Sequence, residues 1–90
     1  MNKFLFTPIT TFSLQHTIYL CEDDNMFPIA TVDTWDLARQ LVDLCVLNNI
    51  TTVKVAGQSN FIDAVIADIV EIEQLTYSRH YIVVEKVGLN

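Results

Sequence analysis

Three carboxylates and an amide stand together at Glu22-Asp23-Asp24-Asn25. Calcium takes six to eight oxygens from a loop that wraps it, with ligands at alternating positions and a glycine at the bend. This stretch has neither the alternation nor the glycine. It reads as a solvated turn whose charge suits a basic partner. His16, His80, Cys21 and Cys45 are the other residues that a zinc site or a nucleophile would draw on. Zinc needs four ligands, commonly in paired spacings, and the chain has no Cys-x-x-Cys and no His-x-x-x-His. His16 alternates with Leu14, Ile18 and Leu20, which places it on an apolar strand face. His80 follows Arg79 at the start of a strand. Cys45 falls on the apolar side of a helix, where a thiolate is disfavoured. The acids beside Cys21 are expected to raise its thiol pKa rather than lower it. Cys21 and His16 are an odd number of residues apart in one strand, so they point to opposite faces. No catalytic residue, metal or cofactor is expected from these groups.

One further stretch has the position, though not the pattern, of a binding site. Val55-Ala56-Gly57-Gln58-Ser59 joins a strand to a helix, where α/β proteins hold phosphate on the helix N-terminus. It has one glycine, no Gly-x-Gly-x-x-Gly and no Gly-Lys-Ser/Thr. The turn Gly57–Asn60 therefore carries an alternative function: a small-ligand or phosphate-binding module, or the inactive remnant of an α/β enzyme. On that alternative, a bulky residue at Gly57 should abolish binding without unfolding the domain.

The elements that position these residues follow from periodicity. Ile50–Ala56 is rich in β-branched residues and closes on Gly57, which marks a strand. The segment before it, Thr34–Leu47, carries Leu37/Ala38, Leu41 and Leu44/Cys45 at helical spacing, with Asp36, Arg39, Gln40 and Asp43 opposite. Asp33 or Thr34 is expected to cap that helix and Asn48-Asn49 to end it in a left-handed turn. Ser59–Leu75 is a second helix, apolar round more than half its circumference, and is expected to be buried nearly all round. Lys3–Thr7 reads as a strand that Pro8 ends or confines to an edge. Ser13–Cys21 and Met26–Val32 are strands joined by the acidic tip, and His80–Val87 is the last strand.

The order β-β-β-α-β-α-β implies one α/β (α+β) domain over residues 1–90, a mixed sheet with two helices packed on it. The same order resembles the ribonuclease H-like fold, whose first three strands form a meander. A ferredoxin-like variant is the second choice. The chemistry of the ribonuclease H-like fold needs clustered carboxylates holding two divalent metals. The first strand and the end of the fourth have no acid here, so no nuclease site is expected.

Composition narrows the function further. Eleven acidic and five basic residues give a net charge of −6. The basic residues Lys3, Arg39, Lys54, Arg79 and Lys86 are scattered, so direct nucleic-acid binding is not expected. No apolar run is long enough to span a membrane. Pro8 and the polar residues after it interrupt any signal-peptide core. Two cysteines without a framework fit a reducing compartment, and the expectation is cytoplasmic. What remains is a small, acidic, non-enzymatic interaction protein that binds, and by binding inhibits, a larger protein with a basic surface. Self-association, as a homodimer, is expected with it, and a structural subunit of an assembly is a further alternative. Trp35, Tyr77 and Tyr81 are the expected anchors, since Trp and Tyr favour places that are dry at one end and wet at the other. Glu22, Asp23, Asp24, Asp36 and Asp43 form the expected charged rim.

Overall fold

The computed structural model describes residues 3–9, 14–57, 59–76 and 82–88; within the second helix, the side chains described are those of 63–72. Eight elements follow in order: β1 (Lys3–Pro8), β2 (Gln15–Glu22), β3 (Asn25–Asp33), a 3-10 turn (Thr34–Asp36), α1 (Leu37–Asn48), β4 (Thr52–Gly57), α2 (Ser59–Thr76) and β5 (Val83–Gly88). The strands form one mixed sheet in the order β3-β2-β1-β4-β5. β1, β2 and β3 make the expected antiparallel meander, and β4 and β5 add in parallel on the other side of β1. The α+β class with two helices on a mixed sheet is as the sequence implies.

Local chemistry explains the joints. Asp23 and Asp24 both have left-handed backbones, φ 48° and 69°. Two successive positive φ angles make the tight two-residue turn whose twist matches antiparallel strands, and aspartate tolerates them. Further along the hairpin, Ile18 pairs with Ala30 but Tyr19 pairs with Pro28, so Ile29 is left over as a bulge. The bulge sits beside a proline that has no N–H to donate, and β3 is an edge strand, where both are tolerated. Pro8 ends β1 and does not place it at an edge: β1 lies between β2 and β4, and Pro8 is its last paired residue. Asn49 closes α1 in the left-handed conformation, φ 54°, as expected.

The expected N-cap is not formed. Neither Asp33 nor Asp36 accepts an amide of the first turn. Asp33 instead accepts from Gln15 Nε2 at 3.4 Å. The Thr34 amide and hydroxyl both donate to the Leu14 carbonyl, at 2.9 and 3.1 Å. The cross-strand partners have taken the groups that a cap would use.

Both helices lie on one face of the sheet. The β3-to-β4 and β4-to-β5 crossovers run the same way across it, so right-handed connections put α1 and α2 on the same side, where they pack on each other. One apolar cluster results. Leu5, Ile18, Val53 and Val55 come from the sheet, and Leu37, Leu41, Val42, Cys45 and Ile69 from the helices. The strand residues that alternate with these point the other way, onto a face that no helix covers among the described residues.

This arrangement corrects the expectation for α2. Of its described side chains Ile69 alone is fully buried; Val65, Ile66 and Ile72 are half-buried against the core, and Val70, Ala64 and Ala67 are exposed. A helix that shares one sheet face with a neighbour has an inner side only, and its outer side meets water whatever its composition.

Candidate protein-binding surfaces

The acidic tip is concave. Phe4, Cys21, Glu22, Asp23, Asp24, Asn25 and Met26 line an open recess of about 420 Å³ where the β2–β3 turn meets the start of β1. Pairing explains the lining: Phe4 lies opposite Cys21, and Cys21 opposite Met26. All three point to the uncovered face. The recess thus has an apolar floor and a rim made by Glu22, Asp23 and Asp24. Burial pushes the Cys21 thiol up, with Lys54 acting in the opposite sense; the cause is not the neighbouring acids that the sequence pointed to. Lys54 Nζ stands 4.2 Å from the centre of the Phe4 ring, within cation–π range.

The other expected site residues are elsewhere. Trp35 and Asp36 lie in the 3-10 turn at the far end of β3, and Trp35 is 88% exposed. The nine residues of β3 at about 3.3 Å each separate this end from the acidic tip by roughly 26 Å. Asp43 lies on α1 and forms an i,i+4 pair with Arg39 at 3.7 Å. The rim residues therefore do not form one site: Glu22, Asp23 and Asp24 are at one end, Asp36 is next to Trp35 at the other, and Asp43 lies about two turns further along α1. Tyr77 and Tyr81 lie outside the described residues, as does His80. Three residues that sequence reasoning passed over take part. Phe4 and Met26 floor the recess, and Leu14, 76% exposed, is tied through its carbonyl to Thr34 beside Trp35. The strand pairing that brings Phe4 and Met26 together is not a local signal.

Gly57 proves to be structural. Its φ is +149°, and a Cβ there would stand 2.5 Å from the Ile9 carbonyl oxygen. Backbone fills the space that a ligand-cradling glycine would leave open. The expectation that a bulky residue here would spare the fold is therefore corrected. Gln58 lies outside the described residues, as does the side chain of Asn60.

His16 is buried on the helix-covered face, with Nε2 3.0 Å from Thr34 Oγ1. Since that hydroxyl donates to Leu14, the histidine donates to it. Burial lowers the His16 pKa. Cys21 is on the opposite face, as their spacing requires. Among the described residues, no three His, Cys, Asp or Glu side chains are grouped to hold a metal ion, and no helix is long and apolar enough to cross a membrane.

Comparison with known proteins adds one distant likeness. No protein-family model matches the chain, and no curated protein does. Among solved structures, a member of the Ppx/GppA protein family from Aquifex aeolicus is similar over 96% of this chain and 35% of its own, at 13% identity and a TM-score of 0.46. The chain thus spans about a third of that protein's length.

Proposed function

We propose that this chain is a non-enzymatic protein-binding domain that engages a basic surface on a larger protein and, by occupying it, blocks it. The observation that carries this reading is the recess at the β2–β3 tip. An apolar floor of Phe4, Cys21 and Met26 under a rim of Glu22, Asp23 and Asp24 matches a lysine or arginine side chain. Such a side chain has an apolar stem and a cationic head. The tight two-residue turn sets the backbone of Asp23 and Asp24 by strand pairing on both sides, which limits the backbone ordering cost of binding. The net charge of −6 would steer a basic partner toward the domain, an effect that salt weakens.

The test is affinity capture from cells of the native source, with the wild-type chain and the Asp23→Lys, Asp24→Lys double variant side by side at low and moderate salt. The expected result is a stoichiometric protein held by the wild type, released by salt and missing from the variant. A partner retained equally by both chains, or no partner at all, overturns the reading.

A further inference from the structure

The face of the sheet that neither helix covers carries a second apolar set, and that set begins in the acidic recess. Phe4 floors the recess opposite Cys21, and the next pair along the same face is Phe6 opposite Tyr19. The Phe6 and Tyr19 rings meet with centroids 6.2 Å apart. All three aromatic side chains are half-buried. They form a track that runs from the recess along β1 and β2. Pro28, the β3 partner of Tyr19, edges it on one side. Lys54, the β4 partner of Phe6, edges it on the other, with its ammonium over Phe4 and paired to Glu85 at 4.0 Å.

We propose that the partner presents an extended segment in which a lysine or arginine fills the recess and an apolar side chain two residues along seats on Phe6 and Tyr19. This rests on the recess reading given above and names the partner's chemistry: a basic residue, any residue, then an apolar one. Charge sets the order. Acids stand at both ends of the track, Asp23 and Asp24 at the recess and Asp33 at the far end, where Gln15 donates to it. Among the described residues Lys54 is the one basic side chain on this face, and Glu85 is its partner. A cation is therefore drawn to an end of the track, while its middle, at Phe6 and Tyr19, suits an apolar group. Spacing then selects the position two residues along. Alternate side chains of a strand and of an extended segment share one repeat, about 6.6 Å. A segment laid along β1 and β2 with its basic side chain over Phe4 and Cys21 brings its next inward side chain over Phe6 and Tyr19. Width agrees, because neighbouring strands lie about 4.8 Å apart, so a strip built on two of them holds one extended chain.

The experiment is an amide chemical-shift titration of the full chain, by NMR, with three synthetic peptides at up to about 5 mM, a range that reads weak affinities. They are acetyl-Leu-Thr-Lys-Thr-Leu-amide, acetyl-Gly-Thr-Lys-Thr-Gly-amide and acetyl-Leu-Thr-Gln-Thr-Leu-amide; the symmetrical design serves either chain direction. The first should shift the amides of Phe4, Phe6, Tyr19 and Met26. It should bind about threefold to tenfold more tightly than the glycine peptide, the gain from a leucine that leaves water over part of its surface. It should also bind more tightly than the glutamine peptide. Tyr19→Ala should bring the affinity for the first peptide down toward that of the glycine peptide, and Phe6→Ala repeats the test should Tyr19→Ala fail to fold. Equal affinity for the leucine and glycine peptides that carry lysine overturns the segment and leaves the recess standing. So does a leucine advantage that the folded variants retain. Equal affinity for the lysine and glutamine peptides, or a lysine peptide held as tightly by Asp23→Lys, Asp24→Lys, overturns the recess and the segment with it. No shift with any of the three also overturns the segment, while capture of a partner still decides the recess reading.

Discussion

Replacing Gly57 with alanine separates a structural glycine from a ligand-cradling one. The backbone at φ +149° lies where side chains other than glycine are strained by about 1–3 kcal/mol. The new Cβ would also meet the Ile9 carbonyl oxygen at 2.5 Å. Ile9 is not free to retreat, because its amide donates to the Ala56 carbonyl at 2.7 Å, one residue from Gly57. Moving it forfeits a buried backbone hydrogen bond worth about 1 kcal/mol. Lower entropy in the unfolded chain returns about 0.4–1 kcal/mol. The net loss is about 1–3.5 kcal/mol, against a total of about 5–13 kcal/mol for a chain of this length. With a urea slope near 1 kcal/mol/M, the unfolding midpoint should fall by about 1–3.5 M. Urea denaturation followed by circular dichroism reads this directly. A loss under about 0.5 kcal/mol, the size of an ordinary surface change, would refute the contact between Gly57 and Ile9 and reopen the turn as a ligand site.

Two other perturbations follow from burial. The His16 pKa is lowered by burial in the folded state, so the unfolded chain takes up a proton first as pH falls. Stability should be constant above the unfolded value of about 6.5 and decline below it until the folded histidine also titrates. Thermal unfolding from pH 8 to pH 5 should show that decline, and His16→Gln should flatten it; an equal slope in both chains would remove His16 as its source. Trp35, by contrast, is almost wholly exposed, so Trp35→Ala should change stability by no more than about 0.5 kcal/mol. A larger loss in urea denaturation would show that the ring packs on the fold.

Much of the fold was legible because its signals are local. The β-branched run ending at Gly57, the α1 stripe of Leu37, Leu41 and Cys45, the turn at Asp23-Asp24 and the left-handed Asn49 each declare themselves within a few residues. What was not legible depends on which side of the sheet the crossovers take. The apolar residues of α2 do not tell that α1 shares its sheet face, so the helix looked more buried than it is. Phe4, Phe6 and Tyr19 on the uncovered sheet face were passed over, because only the pairing of β1 with β2 brings them together. A cap at Asp33 or Thr34 was expected from their position before α1, but Gln15 and Leu14 compete for them across the sheet. The acidic tip was visible as charge, yet its apolar floor needs Phe4, far away in sequence and adjacent only through β1–β2 pairing.

The measurement that bears most directly on the central claim is equilibrium binding of the captured partner, purified, to the wild type and to Asp23→Lys, Asp24→Lys across a salt series. The acidic-recess account predicts that wild-type affinity falls as salt rises. It predicts that the variant binds about tenfold or more weakly, a change of 1.4 kcal/mol or more, with a shallower salt dependence. A variant that binds as tightly as the wild type, with the same salt slope, would contradict it.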